Sequence, residues 1–166
     1  MKLLKNLTIA VITAVASITP AFARVEDGTA DLLKTLASNG IRITYNENCD
    51  GSVHGAYEWA GMKRTMRLCP GETVDAIDHA TVRHEATHAI QHCVNAGRGT
   101  NSSTPVMDMD RLVSLVNTHL TEDLVTFVKE NYQPDDWAVE LEANLIEHIA
   151  TASELQELFL EACVAG

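Results

Sequence analysis

Two histidines one helical turn apart, with a glutamate directly after the first, are the residues of this chain best suited to chemistry. His84 and His88 are four positions apart, so on an α-helix they share one face, roughly 6 Å apart along the axis, and their ring nitrogens can converge on one zinc ion. Glu85 lies about 100° further round the helix, beside the metal, where it can take a proton from a water molecule. The spacing therefore predicts a metal-dependent hydrolase.

The residues around this motif have the pattern of a helix. Thr73 can cap its start, Asp75 falls in the first turn and Gly97 can end it, which predicts about twenty helical residues. Apolar side chains recur at helical spacing through this range: Val74, Ile77, Ala86, Ala89, Ile90 and Cys93. The alternative interpretation is an ordinary amphipathic helix that carries surface histidines and binds no metal.

A hydrolytic zinc site needs a third protein ligand and one open position for water. His92 lies eight residues beyond His84, roughly 12 Å along the helix, so it cannot meet an ion held between His84 and His88. His79 is excluded for a similar reason. The remaining candidates are downstream carboxylates: Glu140, Glu142, Glu147, Asp108 and Asp110.

The segment Glu140-Leu141-Glu142-Ala143-Asn144 resembles the Glu-x-x-Ala-Asp motif of the gluzincin metallopeptidases, including small single-domain members. The resemblance covers this segment and the His84–His88 motif. It implies that Glu140 is the third ligand of a single Zn²⁺ ion and that Asn144 accepts a hydrogen bond from a ligating imidazole, that of His84. Asn144 stands where the family usually has Asp, and its neutral amide would raise the basicity of the imidazole less than a carboxylate would.

The resemblance implies a zinc peptidase in which Glu85 is the general base and then passes the proton to the leaving amine. Such sites usually carry another donor for the negatively charged oxygen of the intermediate, and Tyr132, His119 and His148 are the candidates between which the sequence does not choose. A zinc-binding exported protein without catalytic activity is the alternative, and Asn144 is the residue that favours it.

The first 23 residues have the features of a signal peptide. Lys2 and Lys5 give a positive start, Leu7 to Ile18 form an apolar run, and Ala21-Phe22-Ala23 supplies small residues for cleavage. The apolar run is shorter than the roughly 20 residues that a membrane-spanning helix needs. We therefore expect export to a periplasm or out of the cell without stable membrane insertion, and a single peptidase domain over residues 24–166.

Four cysteines follow this segment, an even number that favours disulfides in an oxidising compartment. Three pairings are possible. The expected pairs are Cys49 with Cys69, across the predicted β-region, and Cys93 with Cys163, which would tie the end of the metal helix to the last helix.

The chain is acidic, with 12 Lys and Arg against 23 Asp and Glu and a formal net charge of −11. Phosphate binding needs clustered Lys and Arg, and the basic residues here form no such cluster. The acidic charge therefore disfavours nucleic acid as a partner, and the gluzincin resemblance implies a peptide or protein substrate.

The remaining pattern predicts an α+β fold: a mainly helical, zincin-like domain with a small, twisted three-stranded sheet upstream of the zinc helix. Strands are expected near 41–45, 55–59 and 62–69, with Met62, Met66 and Leu68 facing inward. The Met62–Cys69 strand is expected at the edge of the sheet beside the cleft. The predicted helices are 27–38, the zinc helix, 107–120, 122–132, 137–152 and a last one from Ser153.

Overall fold

The computed structural model describes residues 28–46, 54–69, 79–99 and 104–164. These residues form an α+β fold that is mainly helical, as the sequence predicts. The elements in chain order are α1 (Thr29–Ser38), β1 (Ile41–Tyr45), β2 (Gly55–Ala60), β3 (Lys63–Leu68), α2 (His79–Gly97), α3 (Met109–His119), α4 (Glu122–Asn131), α5 (Trp137–Ile149) and α6 (Ala152–Cys163).

The three strands form one mixed sheet in the order β1-β3-β2. β1 pairs with β3 in parallel, with Ile43 opposite Met66, and β2 pairs with β3 in antiparallel, with Tyr57 opposite Met66. A tight turn at Gly61, where φ is 62°, joins β2 to β3. The order places β3 in the centre and leaves β2 at one edge of the described sheet.

Two expectations about the third strand are wrong. The Met62–Cys69 strand is not at the edge, because β3 is hydrogen-bonded to a strand on each side. Met62 does not face inward but is 98% exposed, because it lies in the turn before β3 rather than in the strand. Met66 and Leu68 are buried as expected, at 0% and 1% exposure.

The main core lies between the sheet and helices α1, α2 and α6. Its largest fully buried side chains include Leu32, Met66, Ile90 and Phe159. A smaller apolar cluster between α3 and α5 is built on Leu112, Val116, Leu145 and Met107. Because α2 packs against the sheet, α5 and α6, the helix that carries the histidine motif is enclosed on several sides.

The expected bond between Cys93 and Cys163 is present and ties α2 to α6, with Cα atoms 5.3 Å apart. Cys69 is also disulfide-bonded. The expectation for Cys49 lies outside the described residues, as do the expected signal peptide at 1–23 and the expected helix start at Thr73 and Asp75. Among the helices of the described ranges, none has the length and apolar character that crossing a membrane requires.

Candidate metal centre

His84, His88 and Glu140 meet at the contact between α2 and α5. The two histidines lie one turn apart on α2, and Glu140 projects toward them from the first turn of α5. One ligand atom from each side chain lies within 4.8 Å of the others. This arrangement can hold a metal ion, and it unites the three residues that the motif and the gluzincin resemblance indicate.

The facing atoms are those that ligate metals in proteins. The Nε2 atoms of His84 and His88 are 3.1 Å apart. Glu140 places Oε2 3.4 Å from the Nε2 of His84 and Oε1 3.6 Å from the Nε2 of His88. Oε2 of Glu140 is buried without a hydrogen-bond partner among the described residues. An unsatisfied buried carboxylate oxygen is costly, and a cation between the three side chains would satisfy it.

The charges of the ligands depend on one another in the metal-free chain. Burial alone would lower the pKa of His84, but its hydrogen bonds to Glu140 and Glu147 outweigh burial and raise the pKa to about 10. Burial alone would raise the pKa of Glu140, but its close contacts with the imidazoles of His84 and His88 lower the pKa to about 2. A metal ion must therefore displace a proton from His84.

Glu85 lies beside this group and is 5% exposed. Burial raises the pKa of its carboxyl group, although the nearby charges of His88 and His84 oppose the shift. The carboxylate accepts a hydrogen bond from the backbone N–H of Tyr57 on β2, and Oε2 has no partner among the described residues. Glu85 therefore keeps one buried oxygen that can accept a proton.

The residue that orients His84 is Glu147, so the expectation for Asn144 is wrong. Nδ1 of His84 lies 3.0 Å from Oε2 of Glu147, while Nε2 faces His88 and Glu140, so both ring nitrogens are occupied. The Asn144 amide instead donates to the backbone oxygen of Glu140. Glu147 follows Glu140 by seven residues, which is two helical turns on the same face, and that spacing is the signal that could have identified it.

Glu142, an alternative ligand on sequence grounds, is not part of the ligand group and is 2% exposed. Its carboxylate accepts hydrogen bonds from the backbone N–H groups of Val106 and Met107 and from the amide of Gln91. Burial raises the pKa of this carboxyl group, and these hydrogen bonds oppose the shift. Gln91 in turn lies 2.8 Å from Nδ1 of His88. The sequence analysis missed both Gln91 and this network.

The two aspartates considered as ligands have other roles. Asp108 is the N-cap of α3 and accepts hydrogen bonds from the backbone N–H groups of Asp110 and Arg111. Asp110 is exposed in the first turn of that helix. Neither His92 nor His79 belongs to the ligand group: Nδ1 of His92 lies 2.9 Å from the Tyr57 hydroxyl, and Nδ1 of His79 lies 2.8 Å from the Thr29 hydroxyl.

Tyr132 is the candidate oxyanion donor whose hydroxyl reaches the centre. Its hydroxyl hydrogen-bonds Glu140, and its pKa is raised to about 12, first by burial and then by the negative charges of Glu140 and Glu85. His148 uses Nδ1 to donate to the backbone oxygen of Asn144. His119 lies in the last turn of α3. The geometry therefore favours Tyr132.

β2 borders the site along α2. A Cβ atom added at Gly55 would lie 2.6 Å from the side chain of Thr81 and 3.0 Å from Oε1 of Glu85, so strand and helix are in close contact. The backbone N–H of Cys69 donates to the backbone oxygen of His54. This bond identifies which residues along the antiparallel ladder are hydrogen-bonded pairs. Because hydrogen-bonded and non-hydrogen-bonded pairs alternate in such a ladder, the backbone groups of Gly55, Tyr57 and Trp59 point away from β3, toward the outer edge of the described sheet.

Comparisons of the chain with protein-family models, with curated proteins and with solved structures give no match.

Proposed function

We propose that this protein is an exported zinc peptidase. The observation that carries the proposal is the convergence of His84, His88 and Glu140 beside Glu85, which keeps one buried oxygen without a hydrogen-bond partner in the described part of the chain. Two imidazoles and a carboxylate are the ligand set of hydrolytic zinc sites such as that of thermolysin, which leave a fourth position for water or substrate. The gluzincin resemblance of the two motifs supports the same proposal.

The separations between the ligand atoms suit zinc. Four ligands at about 2.0 to 2.1 Å in a tetrahedron lie roughly 3.3 Å from one another. The three separations observed here are 3.1, 3.4 and 3.6 Å. One ion of this size fits the group with only small movements of the side chains.

The residues around the centre supply the other parts of a hydrolytic mechanism. A bound zinc ion lowers the pKa of water and polarises a carbonyl group. Glu85 accepts the proton of the attacking water at Oε2 and later gives it to the leaving amine; its raised pKa suits this exchange. The Tyr132 hydroxyl donates a hydrogen bond to the oxygen that becomes negatively charged.

The open edge of β2 supports a peptide as the substrate. An extended chain can pair with the outward-pointing backbone groups of such an edge, which gives affinity with little dependence on side chains. The backbone N–H of Tyr57 on this strand is donated to Glu85, so a chain that pairs with the other outward-pointing backbone groups of the strand would lie next to the general base. The net charge of −11 disfavours nucleic acid as the substrate.

The Cys93–Cys163 disulfide supports the proposal of export, because such bonds form and persist mainly in oxidising compartments. The predicted signal peptide at residues 1–23 points to the same route.

The peptidase proposal is tested by comparing the parent protein with the variant Glu85→Gln. This variant should bind one zinc ion per chain as the parent does, since Glu85 is not among the ligands, but its cleavage of a peptide library should fall by about 10²- to 10⁴-fold because the general base is lost. Zinc content is measured by atomic emission and cleavage by mass spectrometry. The matched control is Glu130→Gln on the exposed face of α4, which should change neither quantity.

Equal cleavage by the parent and Glu85→Gln would overturn the assignment of Glu85. A parent protein that binds zinc and cleaves no peptide of the library would support the alternative of a zinc-binding protein without catalysis. Asn144 no longer favours this alternative, because Glu147 supplies the carboxylate expected next to His84.

A further inference from the structure

A chain of buried hydrogen bonds connects His88 to Glu142 through one amide. Oε1 of Gln91 lies 2.8 Å from Nδ1 of His88, and Nε2 of Gln91 lies 2.8 Å from Oε2 of Glu142. Gln91 and Glu142 are 1% and 2% exposed. The two polar side chains are therefore shielded from water, and their hydrogen bonds must be made within the protein.

The surroundings of Gln91 fix which way its amide points. Nε2 has two neighbours that can only accept, the backbone oxygen of Val139 at 3.1 Å and the carboxylate of Glu142. The nitrogen of a side-chain amide carries two N–H donors, and its oxygen can only accept hydrogen bonds. Turning the amide over would place its oxygen against two acceptors. Gln91 must therefore present Oε1 to His88.

This orientation determines the tautomer of His88. Because Oε1 of Gln91 is an acceptor, Nδ1 of His88 must carry the proton and donate it. A neutral imidazole with its proton on Nδ1 has its lone pair on Nε2. Nε2 is the atom that faces Nε2 of His84 and the carboxylate of Glu140, so the ring is prepared to ligate a metal.

Glu142 is held in place from the other side. Its carboxylate accepts the backbone N–H groups of Val106 at 2.8 Å and Met107 at 2.6 Å, in the segment before α3. Thr104 in the same segment is hydrogen-bonded to Asn95, which is a second attachment of this segment to α2. Three N–H donors suit an ionised carboxylate, which accepts only. Glu142 thus acts on Gln91 as a fixed acceptor.

We propose that Glu142 is a positioning residue for the metal centre. It holds the Gln91 amide in the orientation that keeps the proton of His88 on Nδ1, and it connects the backbone of Val106 and Met107 to the metal ligand. The two histidines would thus be oriented differently: His84 directly by the carboxylate of Glu147, and His88 by a carboxylate acting through an amide. The inference rests on the metal-binding half of the proposed function and not on hydrolysis.

The first measurement needs neither metal nor activity. In metal-free protein labelled with ¹⁵N on histidine, the ring nitrogen shifts of His88 should show the proton on Nδ1. In Gln91→Met, which removes the acceptor while keeping a similar side-chain length, this preference should be lost. A His88 ring with its proton on Nε2 in the parent protein would overturn the proposal.

The second measurement tests whether Glu142 affects zinc binding through Gln91 or independently of it. Gln91→Met should weaken zinc binding about 10- to 100-fold, the usual loss for a residue that orients a ligand, as measured by competition with a chelator. Glu142→Met should also weaken zinc binding in the parent background, but it should cause no further loss in the Gln91→Met background, since it acts through Gln91. Equal losses in both backgrounds would refute the relay.

Two further variants test whether the loss of zinc affinity reflects only a general loss of stability or a failure to fold. Thr104→Val loosens the attachment of the same segment to Asn95 and leaves the Gln91 network intact, so it should lower the melting temperature without changing the zinc affinity or the His88 tautomer. If Glu142→Met does not fold, Glu142→Gln replaces it in the same cycle. Failure of the parent to bind zinc would overturn the proposed function, while the tautomer measurement would still decide the relay.

Discussion

At the scale of single residues, the imidazole of His84 has partners at both ring nitrogens, Glu147 at Nδ1 and His88 and Glu140 at Nε2. The positions of His84, Glu85 and His88 follow from helix geometry, and all three lie where the motif places them. The spacing of Glu140 and Glu147 places both on one face of α5, but which part of that face His84 meets depends on how α5 crosses α2. α5 runs antiparallel to α2, since Gln91 bonds to Val139 and Arg83 bonds to Glu147. His84 therefore faces the later part of α5.

We expect Glu147→Gln to weaken zinc binding by about 10- to 100-fold, because the imidazole of His84 would lose the carboxylate that orients its ring and raises its basicity. Competition with a chelator measures the change. Asn144→Ala is the matched control on the same helix. It should leave zinc binding close to that of the parent, because the Asn144 amide donates its hydrogen bond to the backbone of α5. A larger loss in Asn144→Ala than in Glu147→Gln would restore the partner that the family motif implies.

At the scale of elements, helices and strands were predictable and their arrangement in the sheet was not. Few residues separate β2 from β3, and Gly61 lies in the turn between them. Such a short connection indicates a hairpin. The parallel pairing of β1 with β3, which moves β3 to the centre, depends on a crossover that the periodicity of three short strands does not encode. The identity of the edge strand was therefore beyond the sequence.

Gly55 is the point where the contact between β2 and α2 can be tested. Gly55→Ala should destabilise the fold by about 1 to 3 kcal/mol, because the new methyl group would overlap the Thr81 side chain and press on Glu85. Unfolding in urea measures the change, and peptide cleavage should fall with it. Gly97→Ala is the control: a methyl group there has nothing within 4 Å, so the same substitution should raise stability by about 0.5 to 1 kcal/mol. Unchanged stability in Gly55→Ala would contradict this contact.

At the scale of the whole molecule, the acidic net charge and the α+β class followed from composition and pattern, whereas the pH range of stability depends on tertiary contacts. Tyr57 and His92 form one such contact between β2 and α2. Burial raises the pKa of Tyr57 to about 12, although the charge of Arg64 opposes the shift. Burial, and then the charge of Arg64, lowers the pKa of His92.

The two shifts predict that stability falls at both ends of the pH range. Above pH 10 the phenol of Tyr57 ionises in the unfolded chain but not in the folded one until about pH 12, so the free energy of unfolding falls as the pH rises through this interval. Below about pH 6.5 His92 gains a proton more readily in the unfolded chain, so stability falls as the pH drops. Thermal unfolding across this range tests both statements. Tyr57→Phe should flatten only the alkaline side and His92→Gln only the acid side.

The bond between Cys93 and Cys163 also sets an order of events during biosynthesis. The two cysteines are 70 positions apart, and Glu140 lies between them in the chain. A ribosome must therefore finish both imidazoles and the carboxylate before the second thiol of this crosslink exists. Every newly made molecule passes through a period in which all three ligands are present and α6 is not yet fastened to α2.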